Sequence, residues 1–569
     1  MSGIGQAQRR TARVRLLALA LTGALVLAGC TSGSRGRAEG SGDSRGAAAG
    51  SASGRAPRRG GSLAIALLAP RSLDPASASR PEELLLVANL FDGLTSIDPS
   101  GAVQPAVAAA WSSDPSLRHW RFRLRTDARY SDGSPVQAAD FKFAWERLAS
   151  LRTKPRPPSP AALLEAVEGY QAFAAGRAAH LTGLSAPDPT TLLVDLNEPL
   201  ADLPALVANP RLSPLPRAAV GAGGAFAARP VGNGPFSLAA AYSRNRPFEL
   251  VPNPAAGRER PDLDRVLVVT VPDAQTAWLS LQYNQVRFAP VPLDQVAAAR
   301  ALYGLSADGR SRPGLLQGPE TATWSLGFAL RAGPAKDPRW RQAVSLAIDR
   351  QGIAVALAGA FSPASGIVPH GVPGAGQAAC PACAHDPARA RALLAQVGKA
   401  GQGPVDLAVP ATTSDRRITD LIAADLAEVG IKVRIVEVDP AADPVALVRS
   451  KHPTLFALTE TAAYPRMDAF LSRQFASHGA ANPTGYADPT VDGLLTQARA
   501  SADEAARTSL YQRAEATILT DLAVAPVLER RHSAVLASGV EGLDLTPWGA
   551  LDLSAARLSD PPQVTVGRR

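Results

Sequence analysis

Between Val405 and Ile435 the chain has few ways to fold. Val405, Leu407 and Val409 alternate with other residues at the two-residue period of a strand. Ile418, Leu421, Ile422, Leu426 and Val429 then recur at helical spacing up to Gly430, and Ile431, Val433 and Ile435 alternate again. Strand, helix and strand in this order predict two parallel strands joined by a right-handed crossover. Similar units surround this one. Asp337-Pro338 predicts a helix start, with Asp as cap and Pro in the first turn. Trp340, Ala343, Val344, Ala347 and Ile348 then share one face. Asp386-Pro387 opens another helix, ending at Gly398. Leu63, Ile65 and Leu67 read as a first strand. Trp120, Phe122 and Leu124, alternating with Arg121, Arg123 and Arg125, read as a half-buried one. Asp140 is placed to cap a helix carrying Phe141 and Trp145. Strands are also expected over 192–196, 264–271, 324–330 and 524–528, and helices over 82–89 and 503–519. The chain is α/β.

Length and charge narrow the class further. A chain of 569 residues is long enough for more than one core. The formal charge is +9, from 59 basic and 50 acidic residues. Ten arginines and two acids fall within residues 1–59, which leaves 49 basic and 48 acidic groups in the rest. A neutral body gives no electrostatic footprint for nucleic acid.

The basic start has another use. Arg9, Arg10, Arg13 and Arg15 precede an uncharged apolar run over 16–27, which has the length of a secretory h-region and is short for a membrane span. Leu27-Ala28-Gly29-Cys30 resembles the lipobox of bacterial lipoproteins. That resemblance implies a signal peptide over 1–29 and a diacylated Cys30. Two acyl chains anchor stably where one is marginal. Residues 30–59 are rich in Gly, Ser, Ala and Arg and read as a flexible stalk. The basic tail would lie beside anionic headgroups. With Cys30 lipidated, Cys380 and Cys383 remain as a close pair. Outside the cytoplasm they favour a disulfide over a redox or zinc site, because no thioredoxin-like context or second ligand pair accompanies them.

Catalytic signatures are missing from the sequence beyond the stalk: after residue 59 there is no Walker loop, HExxH, GxSxG elbow or EF-hand loop. Six blocks in order instead resemble the family 5 extracellular solute-binding proteins, the oligopeptide, dipeptide and nickel receptors of ABC importers. They are Leu73-Asp74-Pro75 with Asn89 to Thr95, Gly101 to Trp111, Trp120 to Arg125 with Tyr130 to Pro135 and Ala139 to Phe141, Gly232 to Phe236, Asp337 to Arg350, and Asp386 to Leu394. The resemblance implies a type II periplasmic-binding-protein clamshell of two α/β lobes with an extra first-lobe subdomain, the lobes joined by two crossing strands. Lobe I would take residues 60–320 and 525–569, and lobe II residues 321–524. Such a protein is a monomer outside the membrane that closes on a small-molecule or peptide ligand and docks on an ABC permease, without cofactor, metal or catalysis.

The same resemblance implies the pocket residues. Peptide receptors carry an acid just before a tyrosine of the second lobe, which pairs with the ligand's α-ammonium. The matching stretch here runs from Thr459 through Glu460, Thr461, Ala462 and Ala463 to Tyr464, so Ala463 stands where the acid is expected. Burying an ammonium without a counter-charge is costly. Glu460 and Asp468 are the nearby substitutes. Thr461, Tyr464, Trp324, Phe328, Arg71 and Asp92 complete the expected ligand set. A peptide is the first expectation for the ligand. A metal chelate, a glycoside or a modified peptide is the second, and an exported hydrolase or a sensory lipoprotein are further rivals.

Overall fold

The structure, a computed structural model, describes residues 59–559 except 155–156, 158–159, 222–224, 258, 307–312, 377–379, 399–402, 441, 544 and 546–550. The leader over 1–29, Cys30 and all but the last residue of the stalk lie outside the described residues. None of the described helices is long and apolar enough to cross a membrane.

Two long strands, Gly314–Phe328 and Val524–Leu536, organise the chain. They pair antiparallel twice: Gly314 to Pro319 against Leu536 to Arg531, and Thr323 to Gly327 against Glu529 to Val524, with the register broken between Pro319 and Thr323. Different strands extend the sheet from each stretch. Beside the first lies Phe288–Pro290, then Ser62–Leu68, Arg265–Val271, Phe248–Pro252 and Phe236–Leu238. Beside the second lies Leu455–Thr461, then Val405–Pro410 and Val433–Val438. The expected parallel crossover is present, with Val405 opposite Val433 and Pro410 opposite Val438. Its helix, Thr413–Glu428, is capped by Thr412 and buries Ile418, Ile422 and Leu426.

Both faces of this sheet are covered. Leu63, Ile65 and Leu67 point into one core and Ala64 and Ala66 into the other, all buried. The first strand is therefore apolar at every position from Leu63 to Leu68, as a strand covered on both sides requires. A second sheet, ordered Ala108–Ser113, His119–Leu124, Thr191–Asp195, Leu184–Asp188, is antiparallel throughout. In it Trp120, Phe122 and Leu124 are buried while Arg121 and Arg123 are exposed, the predicted one-sided pattern.

Local expectations mostly hold, with three corrections. Asp337 and Asp386 cap their helices as read. Asp140 does not cap: the helix Ala138–Ala149 follows Gln137, and the Asp140 carboxylate reaches back to accept from Gln137 N at 2.9 Å. An acid at the third helical position satisfies the backbone amide of the cap residue itself, one half of a capping box. The strand expected over 524–528 runs on to Leu536, with Glu529 buried inside it as a partner of His370. The strand expected over 324–330 starts at Gly314 and ends at Phe328.

Candidate ligand-binding site

A cavity of about 550 Å³ lies between two walls of the folded body. One wall is built from residues of the 162–206 segment, among them Leu163, Glu165, Glu198 and Leu200. The other comes from the 461–499 segment, among them Thr461, Ala463, Tyr464, Asp468, Arg473 and Arg499. Strand pairing places the second wall. Leu455–Thr461 lies along the long strand Gly314–Phe328, and Ala462 N donates to Thr321 O at 2.9 Å just past the last pair. The chain then turns into the helix Met467–Phe475, whose first turn carries Asp468 inward.

Asp468 is buried and fully engaged. Its carboxylate accepts from the Tyr464 and Ser472 hydroxyls and, at 2.9 Å, from the Tyr511 hydroxyl. Burial first, and the nearby carboxylate second, push both tyrosines well above the usual phenol range, so they stay neutral donors. Arg499 Nε lies 3.5 Å from the same carboxylate. Burial is the largest single influence and works against the charge on Arg499, but Asp468, Tyr464, Glu198 and Tyr511 together outweigh it and the net shift is upward.

Further charges tie the walls together. Arg499 Nη1 meets Glu198 at 2.6 Å, and Arg473 Nε meets Glu165 at 2.7 Å. Asp202 sits between Arg507, at 3.3 Å, and Arg466, at 3.8 Å. Burial raises Asp202 to about 6 despite the opposing pull of both arginines, Arg507 more than Arg466. Two neutral bonds also cross: Ala201 N donates to Arg499 O at 3.0 Å, and Asn209 Nδ2 donates to Ala463 O at 2.7 Å.

The expected ligand residues separate into three groups. Thr461, Ala463, Tyr464 and Asp468 line this cavity together. Glu460 lies on the same strand, its backbone opposite Thr323. Trp324 and Phe328 are core residues rather than lining. Trp324 is 3% exposed and its indole N–H donates to Asp415 Oδ1 at 2.9 Å, while Phe328 packs edge-on against Trp340. They alternate on the sheet face that packs against the helices Pro338–Ala347 and Thr413–Glu428, which is why they miss the cavity. Arg71 is exposed, with its backbone N–H on Glu83 Oε1 at 2.9 Å. Asp92 lines a separate cavity of about 310 Å³, where the Asn233 side chain bridges its backbone. Neither residue lines the cavity beside Ala463. Glu165, Glu198, Asp202, Arg473 and Arg499 were not foreseen; Glu198 and Arg499 are 301 positions apart, and no local pattern links them. A third cavity, of about 340 Å³, lies beside the break in the long strands, where Glu320 meets His532 at 3.0 Å and Arg530 at 3.5 Å. Cys380 and Cys383 are joined as a disulfide.

Residues 102–482 match the bacterial extracellular solute-binding proteins, family 5. The chain belongs to that family. It is 26% identical over 504 residues to the periplasmic murein peptide-binding protein MppA of Escherichia coli (strain K12), covering 83% of this chain and 88% of that one. It is 28% identical over 497 residues to the periplasmic oligopeptide-binding protein OppA of the same organism, covering 80% and 84%. The solved structure of MppA in its unliganded open form superposes with a TM-score of 0.75 at 23% identity, over 89% of this chain and 99% of that chain. The fold is thus that of the type II periplasmic binding proteins. Members of this family are binding proteins rather than enzymes, and its relatives work outside the cytoplasm.

Proposed function

We propose that this family 5 protein is the lipid-anchored substrate-binding subunit of an ABC importer. It captures peptides at the outer face of the cytoplasmic membrane and delivers them to the permease by closing its cleft. One observation carries the reading: the cavity is walled by two segments that belong to different halves of the chain. Residues 60–320 and 525–569 form lobe I, with the four-stranded sheet as its extra subdomain, and 321–524 form lobe II. The register break between Pro319 and Thr323 falls at the boundary and supports a hinge there. Signal peptide 1–29, Cys30 and stalk 30–59 supply export and tether, and the receptor works as a monomer. The peptide ligand follows the names of the two relatives.

A second reading within the same fold is a non-peptide solute. It is favoured by Ala463, whose carbonyl is held by Asn209, and by the full engagement of Asp468. A thermal-shift titration of the full chain with a peptide library separates the two. Specific peptides raise the melting temperature by mass action, and silence across the library supports the non-peptide reading. Mass spectrometry of the N-terminal fragment, finding two acyl chains on Cys30, checks the anchor.

A further inference from the structure

Nearly every acid lining the cavity beside Ala463 is held in place. Glu165 faces Arg473 at 2.7 Å, Asp492 Oδ1 accepts from Ser477 N at 2.8 Å, and Asp468 is enclosed by Tyr464, Tyr511 and Ser472. A cationic ligand group entering here finds Glu165 and Asp468 already engaged and arginines beside them. An anionic group finds a different situation at Arg499. That side chain is 18% exposed and is held from behind by the buried Asp468 carboxylate. On its other side it meets Glu198, whose side chain is 63% exposed. An ion pair with a partner so open to water contributes little, because water recovers the acid when it swings away. The arginine, by contrast, keeps the buried Asp468 carboxylate 3.5 Å behind it, and a guanidinium binds carboxylate strongly through charge-assisted hydrogen bonds.

We propose that the cavity takes a ligand through an anionic group, a carboxylate, which replaces Glu198 on Arg499. Glu198 is then a tethered stand-in for the ligand: it neutralises Arg499 while the site is empty and yields on binding. The inference rests on reading this cavity as the ligand cleft and adds the charge of the group recognised there. The neutral Ala463 fits it, since the ligand then needs no ammonium at this end. Two sources share this chemistry, a peptide blocked at its amino end and a non-peptide organic acid.

Calorimetric titration of the full chain in detergent tests it with three probes: acetyl-trialanine with a free carboxylate, trialanine amide with a free amine, and glutarate. One of the two acids binds at least tenfold tighter than the amide, and which one it is identifies the source. Replacing Arg499→Gln removes that preference. Because this variant also leaves Asp468 without its cation, the exposed Glu198→Gln carries the test independently. Loss of the competing carboxylate tightens binding of the acid by about twofold to fivefold. Weaker binding by Glu198→Gln overturns the proposal. Tighter binding of the amide overturns it while leaving the receptor reading intact, and binding of none of the three overturns it as well.

Discussion

Asn209 donates its side-chain amide to the carbonyl of Ala463 at 2.7 Å, joining the two walls of the cavity at the position where the family's peptide receptors place an acid. The contact replaces a charged recognition element with a neutral bond inside the protein. It explains how the wall is completed without the missing carboxylate, and it sets the terms of the first prediction.

Restoring the acid should change what the cavity accepts. Ala463→Asp places a carboxylate on the cavity wall, and a hydrogen bond to a charged group contributes about 1.5–3 kcal/mol. Affinity for free-amine peptides is expected to rise at least tenfold, measured by calorimetry against the parent chain. An unchanged affinity would mean that the ligand's amino end lies elsewhere.

Asp202 holds two arginines from the later part of the chain, Arg466 and Arg507, each at most 12% exposed. Its own burial makes the charged form costly, so the cluster as a whole adds little to stability. Removing only the acid is a different matter, because two buried cations lose their counter-charge. Asp202→Ala should destabilise the fold by about 3–5 kcal/mol. Hydrogen exchange should also speed up at the Ala201 amide, which bonds Arg499 O. Exchange unchanged at Ala201 would show that the walls do not depend on this cluster.

Glu515 gives a pH signature. Burial, more than any neighbour, raises its carboxyl to about 7, although Ile367 N and Val368 N both donate to Oε1. A folded-state value above the unfolded 4.5 means that the native state holds its proton longer. Stability from this group is present in full below about pH 4.5 and is lost as pH rises through 7. Gln keeps the accepting oxygen and cannot ionise. Glu515→Gln should therefore flatten the fall in melting temperature between pH 5 and 8. At pH 8 it should stabilise the protein by about 1–3 kcal/mol. A slope identical to that of the parent would contradict this assignment.

Trp324 separates core from cleft. Trp324→Phe loses the bond to Asp415 and part of the packing, for about 1–3 kcal/mol. Ligand affinity should stay within twofold of the parent by calorimetry. A large loss of affinity with an unchanged melting temperature would return Trp324 to the binding surface.

The sequence carried the fold further than the site, for physical reasons. Periodicity is local, so the crossover at 405–438 and the one-sided strand at His119–Leu124 could be read residue by residue. Strand limits were harder: the strand expected over 524–528 continues through the buried Glu529, whose partner His370 lies 159 positions away. For the site, the resemblance placed Thr461, Ala463, Tyr464 and Asp468 on one wall, because they share a single turn of chain. The opposite wall was illegible. Glu165, Glu198 and Asp202 gain meaning only from arginines some 260 to 310 positions later, and no spacing rule spans a lobe. Trp324 and Phe328 were misplaced since an aromatic on a strand serves either sheet face until the register is known.

Capture by closure is the claim on which the account stands. Fluorescent labels at Arg177→Cys and Glu504→Cys, both exposed and one on each of the two proposed lobes, report the gap between the walls by single-molecule energy transfer. The account predicts a broad or double distance distribution in the free protein that collapses to one short distance when a binding ligand is added. A single distribution that no ligand alters would contradict it.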